Sequence, residues 1–201
     1  RQVEQRIVGQ RLRAEVRRLP EQFEPRIDVD PAELALKTPT VEKDADAEGL
    51  FWEVRIDDSP DGDLIFNHYL RVKVFTDRGR ESQSKIDLPF GNLSGREIQI
   101  KDIAARTIKP DGSIVDLKKE DIFERTIVKV SGLKVKARSF AMPSVEPGCI
   151  IEYRWREVRK KSGAHYLRLQ FQRDIPVRRV QYLIKPYDYP GLSFNSLTMH
   201  G

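Results

Sequence analysis

The stretch "PSVEPGCIIEYRW", residues 143–155, decides how the chain is read. Pro147 and Gly148 punctuate a turn. Beyond it Ile151, Tyr153 and Trp155 fall on one side, and Ile150, Glu152, Arg154 and Arg156 on the other. That period of two is the mark of a strand. Cys149, the chain's one cysteine, falls on the Ile151 side, the apolar one. A nucleophilic cysteine needs a helix N-terminus or a nearby imidazole to hold a thiolate. A strand start supplies neither, so the residue reads as a small apolar filler. The competing reading pairs Cys149 with His68 or His165; the third histidine, His200, stands next to the chain end.

Outward from this stretch the same period recurs. Trp52, Val54 and Ile56 alternate with Glu53 and Arg55; Leu70, Val72 and Val74 alternate with Tyr69, Arg71 and Lys73. Ile86 and Leu88, then Ile98 and Ile100, repeat it. "KPDGS", residues 109–113, is a tight turn between "RTI" and "IVDL" and predicts a hairpin. Further strands are expected at 123–130, 134–141, 149–158, 165–173 and 177–186. The pattern predicts an all-β fold, an antiparallel β-sandwich or flattened barrel of roughly ten strands.

Upstream the pattern changes. Val8, Leu12, Val16 and Leu19 recur at helical spacing before Pro20, which predicts an amphipathic helix over 1–19. Residues 20–49 read as an acidic, proline-containing arm or linker. Within it "DPAELAL" predicts one short helical turn, with Asp30 as cap and Pro31 at the first position. The sandwich domain then covers 50–201.

The chain has 201 residues, is 39% hydrophobic and 33% charged, and carries a net charge of +5. That charge is unevenly spread: residues 21–64 hold four basic and fourteen acidic side chains. Either the acidic segment folds back on the basic body, or the body attracts an anionic partner. No apolar run approaches the about 18 residues of a membrane span. With Arg1 rather than Met at its start, the chain reads as a mature or excised segment.

A single cysteine excludes an internal disulfide and any multi-cysteine metal site. Scattered histidines lack metal-ligand spacing, and "GNLSG" lacks the Lys-Ser/Thr pair of a phosphate loop. No cofactor, no metal and no catalytic residue is expected. The remaining signal is cationic: Lys134, Lys136 and Arg138 on one strand face, Arg154 and Arg156 on another, and Arg159 at the following turn. Such ladders hold an acidic partner or are simply a solvated sheet face. A protein or peptide partner is expected, and no nucleic acid.

Four stretches together resemble one bacterial family: "HYLRVKVFTDRGRESQSKIDLPF" at 68–90, "RTIKPDGSIVD" at 106–116, "SFAMPSVEPGCIIEYRW" at 139–155 and "LQFQRDIPVRRVQYLIKP" at 169–186. The family is domain of unknown function 3857, found ahead of transglutaminase-like, papain-fold domains. The resemblance covers about residues 50–201, and "DPAELALKTPTVEKDADAEGLFWE" is similar to the lead-in of such proteins. It implies a β-sandwich, a periplasmic or cell-envelope location, and no catalytic residues in this domain; the cysteine enzyme is the following domain. At the position of Cys149 the family pattern has a small residue, often serine. The function so implied is a non-catalytic accessory module that presents or recognises a polypeptide or envelope substrate for that enzyme. The alternative is a free-standing binding domain for a glycan, peptide or anionic ligand.

Overall fold

A computed structural model describes residues 28–58, 62–93, 96–130, 133–164, 167–185 and 197–200. The helix expected over 1–19 lies outside these residues. The chain runs α1 (Pro31–Leu34), β1 (Ala47–Asp58), β2 (Leu64–Val74), α2 (Asp77–Gln83), β3 (Lys85–Leu93), β4 (Arg96–Ile108) and β5 (Ile114–Asp116). After a 3-10 turn at Lys119–Asp121 come β6 (Phe123–Val130), β7 (Leu133–Ala141), β8 (Ile150–Arg159), β9 (Val180–Lys185) and β10 (Leu197–His200).

The ten strands form one sheet in the order β10-β9-β1-β2-β8-β4-β3-β7-β6, with β5 paired to β4. The all-β expectation holds, but the sheet is mixed rather than purely antiparallel. β9 runs parallel to β1, with Trp52 opposite Val180 and Ile56 opposite Ile184. The crossover from β8 to β9, residues 160–179, carries the chain past β2 to the far side of β1. The crossover is held by main-chain bonds from Arg178 N to Gly49 O (2.7 Å) and from Gly49 N to Pro176 O (2.9 Å). A β-carbon on Gly49 would stand 3.1 Å from the Val177 side chain, so the glycine permits this close approach.

β3 bends the sheet. Its Lys85–Phe90 half pairs with β7 and its Gly91–Leu93 half with β4. Gly91, at the change of partner, has φ 110°, a value open to glycine and strained for other residues. The fold-over carries Leu88 and Phe140 into one core with Trp52, Val54, Leu70, Val72, Ile151 and Tyr153. The Phe140 and Tyr153 rings meet edge to face at 6.4 Å. Each fully buried Val, Leu or Ile here contributes about 1.5–3 kcal/mol. Cys149 belongs to this core and is fully buried.

The hairpin at 109–113 forms as predicted: Lys109 N donates to Ser113 O, and the Asp111 side chain accepts from Ser113 N and Oγ. The helical turn at "DPAELAL" also forms, with Asp30 Oδ1 accepting from Ala32 N at 2.8 Å. Two elements differ from expectation. The described part of 165–173, residues 167–173, is irregular. Its alternating Leu167 and Leu169 pack over the sheet face instead of pairing, and Tyr182 Oη donates to Gln170 O. α2 arises where no helix was expected. Thr76 caps it through Gly79 N, and Gly79 lies so close to Asp46 that a β-carbon would come within 2.1 Å of its carbonyl oxygen.

Candidate functional site

The sheet has a second face, opposite the main core. Alternation brings Arg71 of β2, Glu152 of β8, Arg106 of β4 and Asp116 of β5 into one row, because Arg71 pairs with Glu152, Glu152 with Arg106, and Arg106 with Asp116. The row is a chain of opposite charges. Glu152 accepts from Tyr69 Oη (2.5 Å) and Arg71 Nε (2.7 Å) on one oxygen and from Arg106 Nε on the other. Arg71 and Glu152 are 5% and 4% exposed, so each charge depends on its neighbours for the solvation that burial removes. Burial opposes the Arg71 charge, yet Tyr69, Glu152 and Glu33 around it hold its pKa above the ordinary value. Burial and the Glu152 charge together push the Tyr69 phenol well above its usual range, so its proton stays on the bond to Glu152.

Above this row lies an open cleft of about 140 Å³, lined by Tyr69, Ala104, Arg106, Asp116, Glu152 and Arg154 among others. A bulge in β4 between Lys101 and Ala104, where Asp102 has φ 53°, and the small Ala104 side chain shape its wall. Burial lowers the pKa of Arg154, and Asp102 partly offsets this. Below the row, residues 28–36 lie across the sheet. Val29, Leu34 and Leu36 pack on buried Leu50, Ile108 and Ile150. Glu33 accepts from Arg71 Nη1 at 2.7 Å, and Arg71 Nη2 reaches Asp28 O at 3.2 Å. Lys73, 1% exposed, donates to Leu34 O (2.7 Å) and Gly148 O (2.5 Å). In its described part, the acidic arm is therefore packed on the basic body. Its end is clamped by Glu48, which accepts from Thr40 N, Thr40 Oγ1, Val41 N and Arg178. Burial works against the Glu48 charge, and these donors outweigh it and hold the carboxyl below its usual pKa.

The cations singled out in the sequence are dispersed by the fold. Arg154 lines the cleft, and Arg156, on the same face, contacts Asp102 and Asn67, each at 3.2 Å. Arg159 points to the other face, bonded to Glu157 and 4.1 Å over the Phe66 ring. Lys136 and Arg138 share the β7 face that carries Phe140, where both meet Glu124 and Arg138 lies over Phe90. The side chain of Lys134, all of His165 and the side chain of His200 lie outside the described residues. Arg71, Arg106 and Glu152 were not singled out in the sequence. Alternation marks them as facing away from the core, and a buried charge gives the same pattern as a solvated one.

A second polar cluster lies on the core face. His68 stacks on Trp155 at 4.3 Å and stands 3.5 Å from Glu157, without well-aligned hydrogen bonds. Burial holds its pKa below the ordinary value, against the pull of Glu157. Cys149 is shielded from solvent, and burial pushes its thiol pKa up. Among the described residues no cluster of His, Cys, Asp and Glu could hold a metal, and no helix is long and apolar enough to cross a membrane.

Comparison with solved structures finds a candidate protease from Parabacteroides distasonis, 18% identical, with a TM-score of 0.55. The match covers 69% of this chain and 28% of that one, so this chain spans less than a third of its length. Yeast LTA4 hydrolase in complex with bestatin matches at 8% identity and a TM-score of 0.40, covering 77% of this chain and 26% of that one. A candidate nutrient-binding protein from Legionella pneumophila matches at 8% and 0.38, covering 71% and 51%. The Parabacteroides likeness is one of fold, and the other two superpose too loosely to bear on it. No curated protein matches the chain. Residues 60–188 match the model of the family described as a domain of unknown function with solved structure, DUF3857. That match takes in β2 to β9, the strands that carry the buried charge row and the cleft, and the chain belongs to the DUF3857 family.

Proposed function

We propose that this chain is a non-catalytic accessory module that recognises or presents a polypeptide or envelope substrate for a transglutaminase-like cysteine-enzyme domain, in the periplasm or cell envelope. The observation that carries the reading is the size relation: 69% of this chain superposes on a portion amounting to 28% of a candidate protease. A fold found as a minor portion of a larger chain suits an accessory role. The buried Cys149 supports it, since a thiol shielded from solvent with a raised pKa is a poor nucleophile. The second sheet face, with its charged row and open cleft, is the contact surface in this reading.

The test joins this domain to, and removes it from, a transglutaminase-like domain acting on a peptide substrate. The expected result is a rise in KM of about tenfold or more on removal, with kcat nearly unchanged, as loss of uniform binding predicts. Turnover by this chain alone that disappears in Cys149→Ala would overturn the proposal.

A further inference from the structure

The geometry points to the depression over Leu50, Ile108 and Ile150, flanked by Arg71 and Lys73, as a peptide-docking groove for a short acidic helical turn, filled here in cis by residues 28–36. The occupant belongs to no strand, and none of residues 28–46 is fully buried. What it covers is buried: Leu50, Ile108, Ile150, Arg71 and Lys73 are all between 0% and 5% exposed. A segment that is itself largely exposed while masking an apolar patch and two cations is bound as a ligand is bound.

The contacts define the ligand class. Apolar side chains at the positions of Val29, Leu34 and Leu36 meet the patch. A carboxylate at the position of Glu33 meets Arg71 Nη1, while Arg71 Nε stays on Glu152 of the framework. The guanidinium is thus divided between the sheet and the peptide, a charge-assisted contact that selects for an acidic residue. Lys73 reads the peptide backbone, through Leu34 O. One helical turn capped by Asp30 presents that carbonyl and Glu33 together. The groove also has room to extend, because Glu152, next to Arg71, lines the open cleft. A partner carrying an acidic, apolar helical turn, with further residues running on toward Tyr69 and Arg154, fits both parts. The choice of a polypeptide partner rests on the accessory role proposed above.

The experiment uses the whole chain and a labelled peptide spanning residues 28–37, followed by fluorescence anisotropy. In the native chain the tethered copy competes at an effective concentration of the order of millimolar. Glu33→Ala with Leu34→Ala loosens that copy and leaves the groove unaltered. This variant is expected to bind the free peptide about tenfold or more tightly than the native chain does. A peptide carrying Glu33→Ala is expected to bind about tenfold more weakly, a comparison that changes nothing in the protein. A cooperative melt of the variant establishes that it is folded. Equal binding by both chains, or indifference to the peptide's carboxylate, overturns the proposal. So does a dimer of the native chain that Glu33→Ala with Leu34→Ala abolishes, which assigns the groove to a second copy. Because no enzyme domain is present, failure here leaves the KM test of the accessory role standing on its own.

Discussion

His68 shows how one buried side chain sets a pH dependence. It is stacked between Trp155 and Phe66, with Glu157 at 3.5 Å and the Arg159 and Arg173 charges nearby. Burial, the largest influence, lowers its pKa in the fold, and Glu157 only partly opposes this. The unfolded chain then binds the proton more tightly than the folded one. The stability that neutral His68 provides is full above the unfolded value of about 6.5 and is lost as pH falls from there toward the lowered folded value. Glu157, whose own pKa is lowered, acts below the ordinary carboxyl value of 4.5 and so outside this window. We predict that urea unfolding shows a loss of the order of 1 kcal/mol between pH 7 and pH 5, and that His68→Phe, which keeps the ring stack, flattens that slope. A native chain with no slope there, or a variant with the same slope, would contradict it.

At the scale of the elements, the decisive object is the row across β2, β8 and β4. Glu152 sits between Arg71 and Arg106, and its removal takes away the buried counter-charge that the two share. Breaking a buried pair by deleting one partner costs about 3–5 kcal/mol, far more than loss of an exposed pair. Glu152→Gln is expected to destabilise the chain by about that amount. Adding Arg106→Met should recover part of the loss, because the second change removes one of the two cations that shared Glu152 and the two sites are coupled. Denaturant unfolding of the two single variants and the double variant checks this. Strictly additive losses would mean that the row is not a single electrostatic unit.

For the molecule as a whole, stability should be graded across the sheet. β2 lies between β1 and β8, and β8 between β2 and β4; β2 supplies five residues of the main core, Leu64, Phe66, Leu70, Val72 and Val74, and β8 carries residues of both clusters. β6 stands at one end of the order and exposes Phe123 and Val128. Native-state hydrogen exchange should therefore find the slowest amides in β2 and β8, near the global unfolding limit, and much faster exchange in β6. Equal protection in β6 and β8 would refute this grading. The pairings of β1 with β9 and of β4 with β8 join residues far apart in sequence, which also implies slow folding, on a millisecond-to-second scale.

Period-two alternation around Trp52, Leu70 and Ile151 was sufficient to declare the strands, because one face of each is buried and local order alone determines which side chains share it. Pro, Asp and Gly at 109–113, and Asp30 before Pro31, declared their turns for the same local reason: those side chains act on backbone within a few residues. The burial of Cys149 was legible from the side of the strand it occupies. Other features had no local signal. That β9 would lie parallel to β1, that β3 would change partners at Gly91, and that Leu167 and Leu169 would pack without pairing depend on which distant segments meet. The candidate site has the same origin. Arg71, Glu152 and Arg106 each read as an ordinary outward charge, and only the cross-strand register and the arm folded over them made them neighbours and took them out of water. Alternation is a property of a strand, whereas an electrostatic row is a property of how strands are aligned, and that alignment is settled only when the whole sheet assembles.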